Sequence, residues 1–436
     1  MKSILNSIAA GSLLAVLAIA QPSPRYKVTD LGPVGGSPGS PNFITNNGLV
    51  GGAAASANGS MHLALWYKGV KLNIGTPGLG GPNSAGFGVN ERGQAVGQAQ
   101  TSVPNGEDFC GFNAYGLPSS STACLPFVWQ NGLMTKLPTL GGANGSANSI
   151  NNRGQVAGYA ENTMKDPDPA CPVSQFKPVT WVNGAIHELH TYAGDPDGVA
   201  AAINDSGQVV GASGTCSTFN PNSGLHLVEN HALLWEKDGT VHDLGNLGGT
   251  GGIAGNHACA INNEGQVVGH SELSHNSTFH GFLWTRETGM RDLGTLAGDS
   301  ASLALGINDR GNVVGGSLDP SFSPRASLWQ NGKITDLNTL IPTGSSLFLL
   351  LALSINSSGE IVGLAFHPST GDVHGFLATP RNGEDGGDRE SGHGRDSTAP
   401  DAQDATSPMV LPENARNLLQ QLLPFGRFGA RLMEAR

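Results

Sequence analysis

His187-Glu188-Leu189-His190 is the stretch that comes nearest to a metal or acid–base site, and its spacing argues against one. A zinc-protease helix needs two histidines four residues apart with a glutamate between them. Here they are three apart, inside a β-rich run. The chain has no His-Glu-x-x-His, no Gly-x-Ser-x-Gly elbow and no Walker loop. His62, His231, His280 and His374 recur at one position of a repeat, too widely spaced to share a metal. They read as structural hydrogen-bond partners, as do Asp243, Asp292 and Asp336 before a leucine. His226, His257, His270 and His275 form a denser set without ligand spacing. The remaining carboxylates of interest, Glu107, Asp108, Asp166, Asp168 and Glu229, show no pairing. No catalytic residue, metal or cofactor is therefore expected.

The elements that must position these groups are repeats. Seven copies of one pattern run from ITNNGLVGG (44–52) through VNERGQAVG, INNRGQVAG, INDSGQVVG, INNEGQVVG and INDRGNVVG to INSSGEIVG (355–363). Counted on Asn46, Asn90, Asn151, Asn204, Asn262, Asn308 and Asn356, the spacing runs from 44 to 61 residues. Such a period marks a repeat architecture. A strand ending in Trp follows each copy (Trp66, Trp129, Trp181, Trp235, Trp284, Trp329), with Ala378 in the seventh place. A short turn, another strand and a Gly-rich link complete the unit. Four β runs per unit, separated by Asn, Asp and Gly, read as a four-stranded meander.

The last unit stops at 380, one strand short, and YKVTDLG (26–32) is the missing strand. A ring closed this way leaves no long sheet edge unpaired. The expected fold is an all-β, seven-bladed β-propeller over 25–380, closed by the N-terminal strand; an open solenoid, the alternative, would want capping units. The strands entering each Asn motif line the channel and carry no Asp, Glu, Lys or Arg, leaving His257 as their one acid–base group.

Lys2, the apolar run 12–20 and Ala18-Ile19-Ala20 read as a signal peptide over 1–20. No other segment reads as membrane-spanning. A net charge of −11 argues against nucleic acid. Residues 381–410 are polar and acidic, a linker expected to stay disordered. Over 411–436 an amphipathic helical tail is expected, with Ala415, Leu418, Leu419, Leu422 and Leu423 on one stripe. In an exported chain, Cys110 would pair with Cys124 and Cys171 with Cys216, with four loop thiols as the alternative; Cys259 reads as a free buried thiol.

HALLW, DLGNLGG and INNEGQVVG resemble the HAF extracellular-repeat family, whose units run His-Ala-Phe, Trp, Asp-Leu-Gly and Ile-Asn-x-x-Gly. The likeness covers 26–380. It implies a secreted bacterial repeat protein of unknown biochemical role and brings no catalytic residues. Blade 3 departs with ELHTYAG, and blade 7 lacks the Trp.

Successive turns of a meander alternate between the two faces of the disc. The face away from the Asn turns carries long loops at 100–124, 161–176 and 214–230 in blades 2, 3 and 4. Long loops in compact folds are often functional, so Phe109, Phe112, Tyr115, Phe176 and Phe219 are the candidate binding residues. The expected function is a secreted, monomeric, non-enzymatic binding or scaffold module for an extracellular protein or polysaccharide. The alternative is an extracellular propeller hydrolase or lyase acting on glycans; a structural wall component is a third reading.

Overall fold

The computed structural model describes residues 26–34, 39–72, 74, 78–106, 109–110, 112, 117, 121–169, 171, 173–220, 224–250, 255–381 and 411–422, with backbone alone at 217–220, 224–227, 414, 417 and 420–422. The expected signal peptide, most of the linker and Tyr115 lie outside them.

Seven four-stranded antiparallel sheets follow one another around a ring. From the axis outward, blade 1 is Ser40–Ile44, Leu49–Ala55, Met61–Tyr67 and Val70–Lys71. Blade 2 is Gly80–Val89, Ala95–Pro104, Thr122–Gln130 and Leu133–Lys136; blade 3 is Gly141–Ile150, Val156–Lys165, Ser174–Val182 and Ala185–Glu188. Blade 4 is Asp197–Ile203, Val209–Asn220, Gly224–Trp235 and Val241–Asp243; blade 5 is Asn256–Ile261, Val267–Glu272, Phe279–Thr285 and Gly289–Asp292. Blade 6 is Ala301–Ile307, Val313–Leu318, Pro324–Gln330 and Lys333–Asp336. Blade 7 takes Phe348–Ile355, Ile361–His367 and Asp372–Pro380 from one end of the propeller sequence and Tyr26–Pro33 from the other. Val28 pairs with Ala378 in that closure. The chain is a seven-bladed β-propeller closed by its N-terminal strand.

The repeat motif has a physical reason at three positions. Its first polar residue makes the ring. Asn90 Nδ2 donates to Asn151 O at 3.0 Å, Asn151 to Asn204 O at 2.9 Å, Asn204 to Asn262 O at 3.0 Å and Asn262 to Asn308 O at 3.0 Å. Asn308 donates to Asn356 O at 2.9 Å, and Asn356 to Thr45 O at 3.0 Å. The same side chain organises its own turn: Asn204 Oδ1 accepts Gln208 N–H at 3.0 Å, and its Nδ2 also donates to Gln208 Oε1 at 2.8 Å. Three residues on, every glycine is left-handed, from φ 73° at Gly93 to 87° at Gly207 and Gly359, a conformation side chains resist.

Seven residues on stands the second glycine. Each inner strand bulges opposite it: Ala258 pairs with Gly269 and Ala260 with Val268, leaving Cys259 extra. A Cβ on Gly269 would lie 1.9 Å from His257 O, and one on Gly97 would lie 1.8 Å from Ala85 O. No side chain fits there, so the glycine is what permits the bulge. The extra residues (Asn42, Phe87, Asn148, Ala201, Cys259, Leu305 and Leu353) fall at one level of the inner strands. All are half-buried but Leu305, which is 8% exposed.

This register corrects the counting of the first repeat. Thr45, not Asn46, stands where the other blades place the ring asparagine. Its hydroxyl serves its own turn, accepting Leu49 N–H at 2.9 Å. Asn46 belongs to an adjoining ring, where its Oδ1 accepts Ser357 N–H at 2.8 Å. In the same way Asp205 accepts Asn152 N–H at 2.8 Å and Asp309 accepts Asn263 N–H at 2.9 Å. Blade 1 reaches blade 2 through Asn47, whose Nδ2 donates to Glu91 O at 3.1 Å.

The tryptophans pack between blades. Trp66, Trp181 and Trp235 are fully buried. Trp181 donates to Pro138 O, Trp235 to His190 O and Trp329 to Leu293 O, each on the preceding blade, at 2.7–2.9 Å. The carbonyl of His190 thus serves packing, and its stretch ends the outer strand Ala185–Glu188 of blade 3. The recurring histidines are clasps as well: His280 meets Asp292 and His374 meets Asp30, each at 2.9 Å.

If the amide ring holds the blades in register, Asn204→Ala removes three hydrogen bonds, one of them fully buried, and lowers stability by about 2–4 kcal/mol. Thr45→Asn supplies the missing amide and raises stability by about 0.5–1.5 kcal/mol. Urea unfolding of the two variants checks this; equal losses in both would contradict the ring account.

Candidate functional site on the loop face

The face opposite the asparagine turns divides into two halves. Over blades 2–4 the long loops are partly strand: the blade 4 hairpin continues its ladder to Asn220 opposite Gly224, so the stretch 214–230 is largely paired backbone. Disulfides bind Cys110 to Cys124 and Cys171 to Cys216, the second crossing from blade 3 to blade 4. The loop sequences fold inward. Phe109, Phe112 and Phe176 are brought together, but at 5%, 1% and 0% exposure, around Tyr159. Ring centroids lie 5.5 Å apart for Phe109–Tyr159 and 6.0 Å for Tyr159–Phe176. These rings are therefore a small core under the loops and are not offered to a ligand. Loops this long need apolar groups of their own to hold shape. The side chain of Phe219 lies outside the described residues.

What this half exposes is different. Val103 is 59%, Met164 61% and Tyr192 37% exposed. Tyr192 stacks on His231 with centroids 3.9 Å apart. His231 Nδ1 is 2.8 Å from Asp195 Oδ2, which also accepts Ser213 Oγ–H at 2.6 Å. Serine, histidine and carboxylate meet here, but the carboxylate sits between the other two, so the hydroxyl is not activated by the imidazole. The arrangement holds an aromatic plate rigidly at the surface. Tyr192 escaped the sequence reading because it lies in a link that breaks the repeat, ELHTYAG.

Beneath the loops, Asp197 begins the inner strand of blade 4 and is 0% exposed, so one inner strand does carry an acidic residue, against the expectation from sequence. Blades 2 and 3 place Asn83 and Asn144 there, each accepting a backbone N–H from the preceding blade, at 2.9 and 3.0 Å. Asp197 Oδ1 accepts Phe176 N–H likewise at 3.0 Å. Burial pushes its carboxyl up to about 8, and the hydrogen bond and charge of Asp166 add to this, against Lys177. Asp197 thus stands where the neighbouring blades carry asparagine, and burial favours its protonated form.

Asp166, Cys171 and Cys216 are the one group of three among the described residues close enough to hold a metal ion. The two sulfurs are joined to each other, which leaves a single carboxylate as ligand.

Between blades 4 and 5 lies the acid–base group of the channel wall. Glu229, 2% exposed, places Oε1 2.7 Å from His257 Nδ1 and Oε2 3.9 Å from His270 Nε2. The two imidazoles stack 5.7 Å apart, and the Cys259 sulfur lies 3.8 Å from His270 Nδ1. Burial raises the Glu229 carboxyl, opposed by His257; burial and the Glu229 charge raise the Cys259 thiol, which stays protonated. Gly255 permits the approach, since a Cβ there would lie 2.9 Å from Glu229 Cβ. The pairing of Glu229 with His257 was missed from sequence. The signal was available: the start of each third strand abuts the start of the next inner strand. His275 stands on a separate turn, and the His226 side chain is outside the described residues.

On the other half of this face a helix, Glu413–Leu422, packs against the strand Asp372–Pro380 of blade 7. Leu411, Ala415 and Leu419 are buried, at 2%, 2% and 3% exposure, and Leu418 is half-buried.

No known family profile matches the chain, and no curated protein matches it. Similar solved structures include a gluconolactonase of Xanthomonas campestris, 10% identical, spanning 59% of this chain and 79% of that one, with a TM-score of 0.32. AofleA of Arthrobotrys oligospora is 12% identical over 71% of this chain and 89% of its own, TM-score 0.34. A puromycin-hydrolysing peptidase of Mycobacterium tuberculosis is 14% identical over 74% of this chain and 55% of its own, TM-score 0.30. At these scores nothing passes from them to this chain.

The folded value of Asp197 lies above that of an unfolded aspartate, near 4. The stability it confers is complete below about pH 4 and is lost as pH rises through about 8. Asp197→Asn should abolish this slope and raise stability at pH 9, where each tenfold change in proton affinity is worth about 1.4 kcal/mol. Melting temperatures at pH 5, 7 and 9 decide it: parallel curves for the two proteins would refute the raised carboxyl.

Proposed function

We propose that this chain is a secreted binding or scaffold module that works through the loop face of blades 2–4, with a cell-surface protein or an extracellular polysaccharide as its partner. The observation that carries the reading is the exposed Tyr192 plate, stacked on His231 and anchored through half-buried Asp195. An exposed aromatic face held without rotameric freedom is a low-entropy contact surface for a sugar ring or an apolar side chain. Val103 and Met164 extend that apolar exposure onto the neighbouring blades. The opposite face directs its asparagines into its own ring, closing on a polar recess of about 120 Å³. Export agrees with the leader-like start, with two disulfides and with the resemblance to the HAF extracellular repeats. No described helix is long and apolar enough to cross a membrane.

A second reading, an extracellular hydrolase or lyase acting on glycans, is favoured by one observation. The Glu229–His257 pair sets a carboxyl of raised affinity for protons against an imidazole beside the channel. Such a pair can donate and accept a proton in bond cleavage.

The test is binding of the full chain to a glycan array and to cell-surface extracts, against Tyr192→Ala and Val103→Asp/Met164→Asp. These exposed sites leave the fold intact. Binding should fall at least tenfold in both; unchanged binding, or none by the wild-type chain, would remove the assignment. Under the second reading, turnover of a bound glycan is lost in Glu229→Gln while binding is kept. A wild-type chain that turns over none of the glycans it binds discards that reading.

A further inference from the structure

Among the described residues, four hairpins join a third strand to its outer strand through two residues, the second always Gly. In three of them the first is asparagine: Asn131 at φ 50°, Asn183 at 52° and Asn331 at 54°. Two left-handed residues in succession make the turn that twisted strands prefer, and asparagine tolerates the first place. Blade 1 puts Lys68 there, at φ 50°, ahead of Gly69. Lysine gains nothing from that backbone, and a residue held against its conformational preference points to a use for its side chain. Lys68 Nζ lies over the Tyr67 ring, 5.3 Å from its centroid, and Tyr67 is 43% exposed. Val70 and Leu72 continue the apolar exposure. The hairpin rests on the closing strand of blade 7: a Cβ on Gly69 would lie 2.9 Å from Thr29 Cγ2. Lys27, two residues before Thr29, shares its side of that strand and is exposed, as is Lys71. None of the three lysines forms an ion pair among the described residues, in a chain whose net charge is −11.

We propose that this rim, with Lys27, Tyr67, Lys68 and Lys71 at the seam of blades 7 and 1, binds an acidic polysaccharide whose sugars carry carboxylates. The tyrosine ring offers a flat apolar face to a pyranose, and the ammonium beside it meets the sugar's carboxylate. Three ammonium groups spread over two blades suit a polymer that repeats its charge better than a single small acid. The net negative charge of the chain repels such a polymer elsewhere, so a basic rim orients it on approach. The hairpin that follows a third strand lies on the side of the asparagine turns, opposite Tyr192. The rim is therefore a separate site and does not depend on the function proposed for the loop face.

The probes are immobilised polygalacturonate, neutral dextran and polyglutamate, offered to the full chain at low and high salt. The wild-type chain should bind polygalacturonate, ignore dextran and lose affinity as salt rises. Lys27→Ala/Lys68→Asn/Lys71→Ala should weaken that binding about tenfold, with circular dichroism unchanged. Lys68→Asn alone restores the residue that the turn prefers, so it should bind less tightly and yet melt at a higher temperature than wild type. That opposition is what a lysine kept for its ligand predicts and an indifferent surface lysine does not. No binding by the wild-type chain, equal binding by the triple variant, or equal binding of dextran would overturn the site. Polyglutamate bound as tightly as polygalacturonate would overturn it too, since charge without a sugar ring would then suffice. Tyr192→Ala should leave polygalacturonate binding unchanged; its loss there would refute a separate site.

Discussion

Six of the seven blades of this protein share one interaction that crosses to the neighbour: a buried asparagine amide donating to the carbonyl of the next ring residue. The amide is used completely. Its oxygen caps the local turn and its nitrogen bridges the gap between sheets, so turn shape and blade spacing are set by one side chain. An aspartate would keep the cap and lose the bridge, and a serine could not reach. The two glycines that follow serve the same end. One turns the chain, and the other lets the second strand lie against a bulge that puts an extra residue at one level of each inner strand.

That arrangement leaves the two faces unequal. The asparagine face repeats from blade to blade except in blade 1, where Thr45 takes the asparagine's place and Asn47 reaches blade 2 instead. The loop face is free of this demand, and it is where the chain differs from blade to blade. Blades 2–4 carry inserted hairpins with a core and disulfides of their own, while blades 5–7 keep short loops, with a helix packed on blade 7. Independence from the ring is what lets a recognition surface be altered without loss of the fold.

The repeat made the fold legible, because a period near fifty with four β runs admits few closed solutions, and the lone strand at 26–33 shows how the ring is completed. The placement of the cysteines pointed to the pairing that the structure shows, with free loop thiols left as the alternative, and the recurrence of the histidines pointed to a structural role. What escaped was set by neighbours distant in sequence. Phe109 and Phe176 look like exposed loop aromatics until the loops fold over one another. Glu229 and His257 are 28 residues apart and meet only because one blade's third strand touches the next blade's first. Asp197 reads as a charge, yet stands where its counterparts are amides. Thr45 was hidden by the asparagine beside it.

The strand Tyr26–Pro33 pairs with Asp372–Pro380 across a separation of 344 residues between Asp30 and His374. During synthesis the first strand made is the last to be placed. Until it docks, Asp372–Pro380 is an open sheet edge, a template for another copy's strand. Contacts this remote close slowly. The interval between synthesis and closure is thus the period of greatest exposure to aggregation, and a holding chaperone would find its site on that strand.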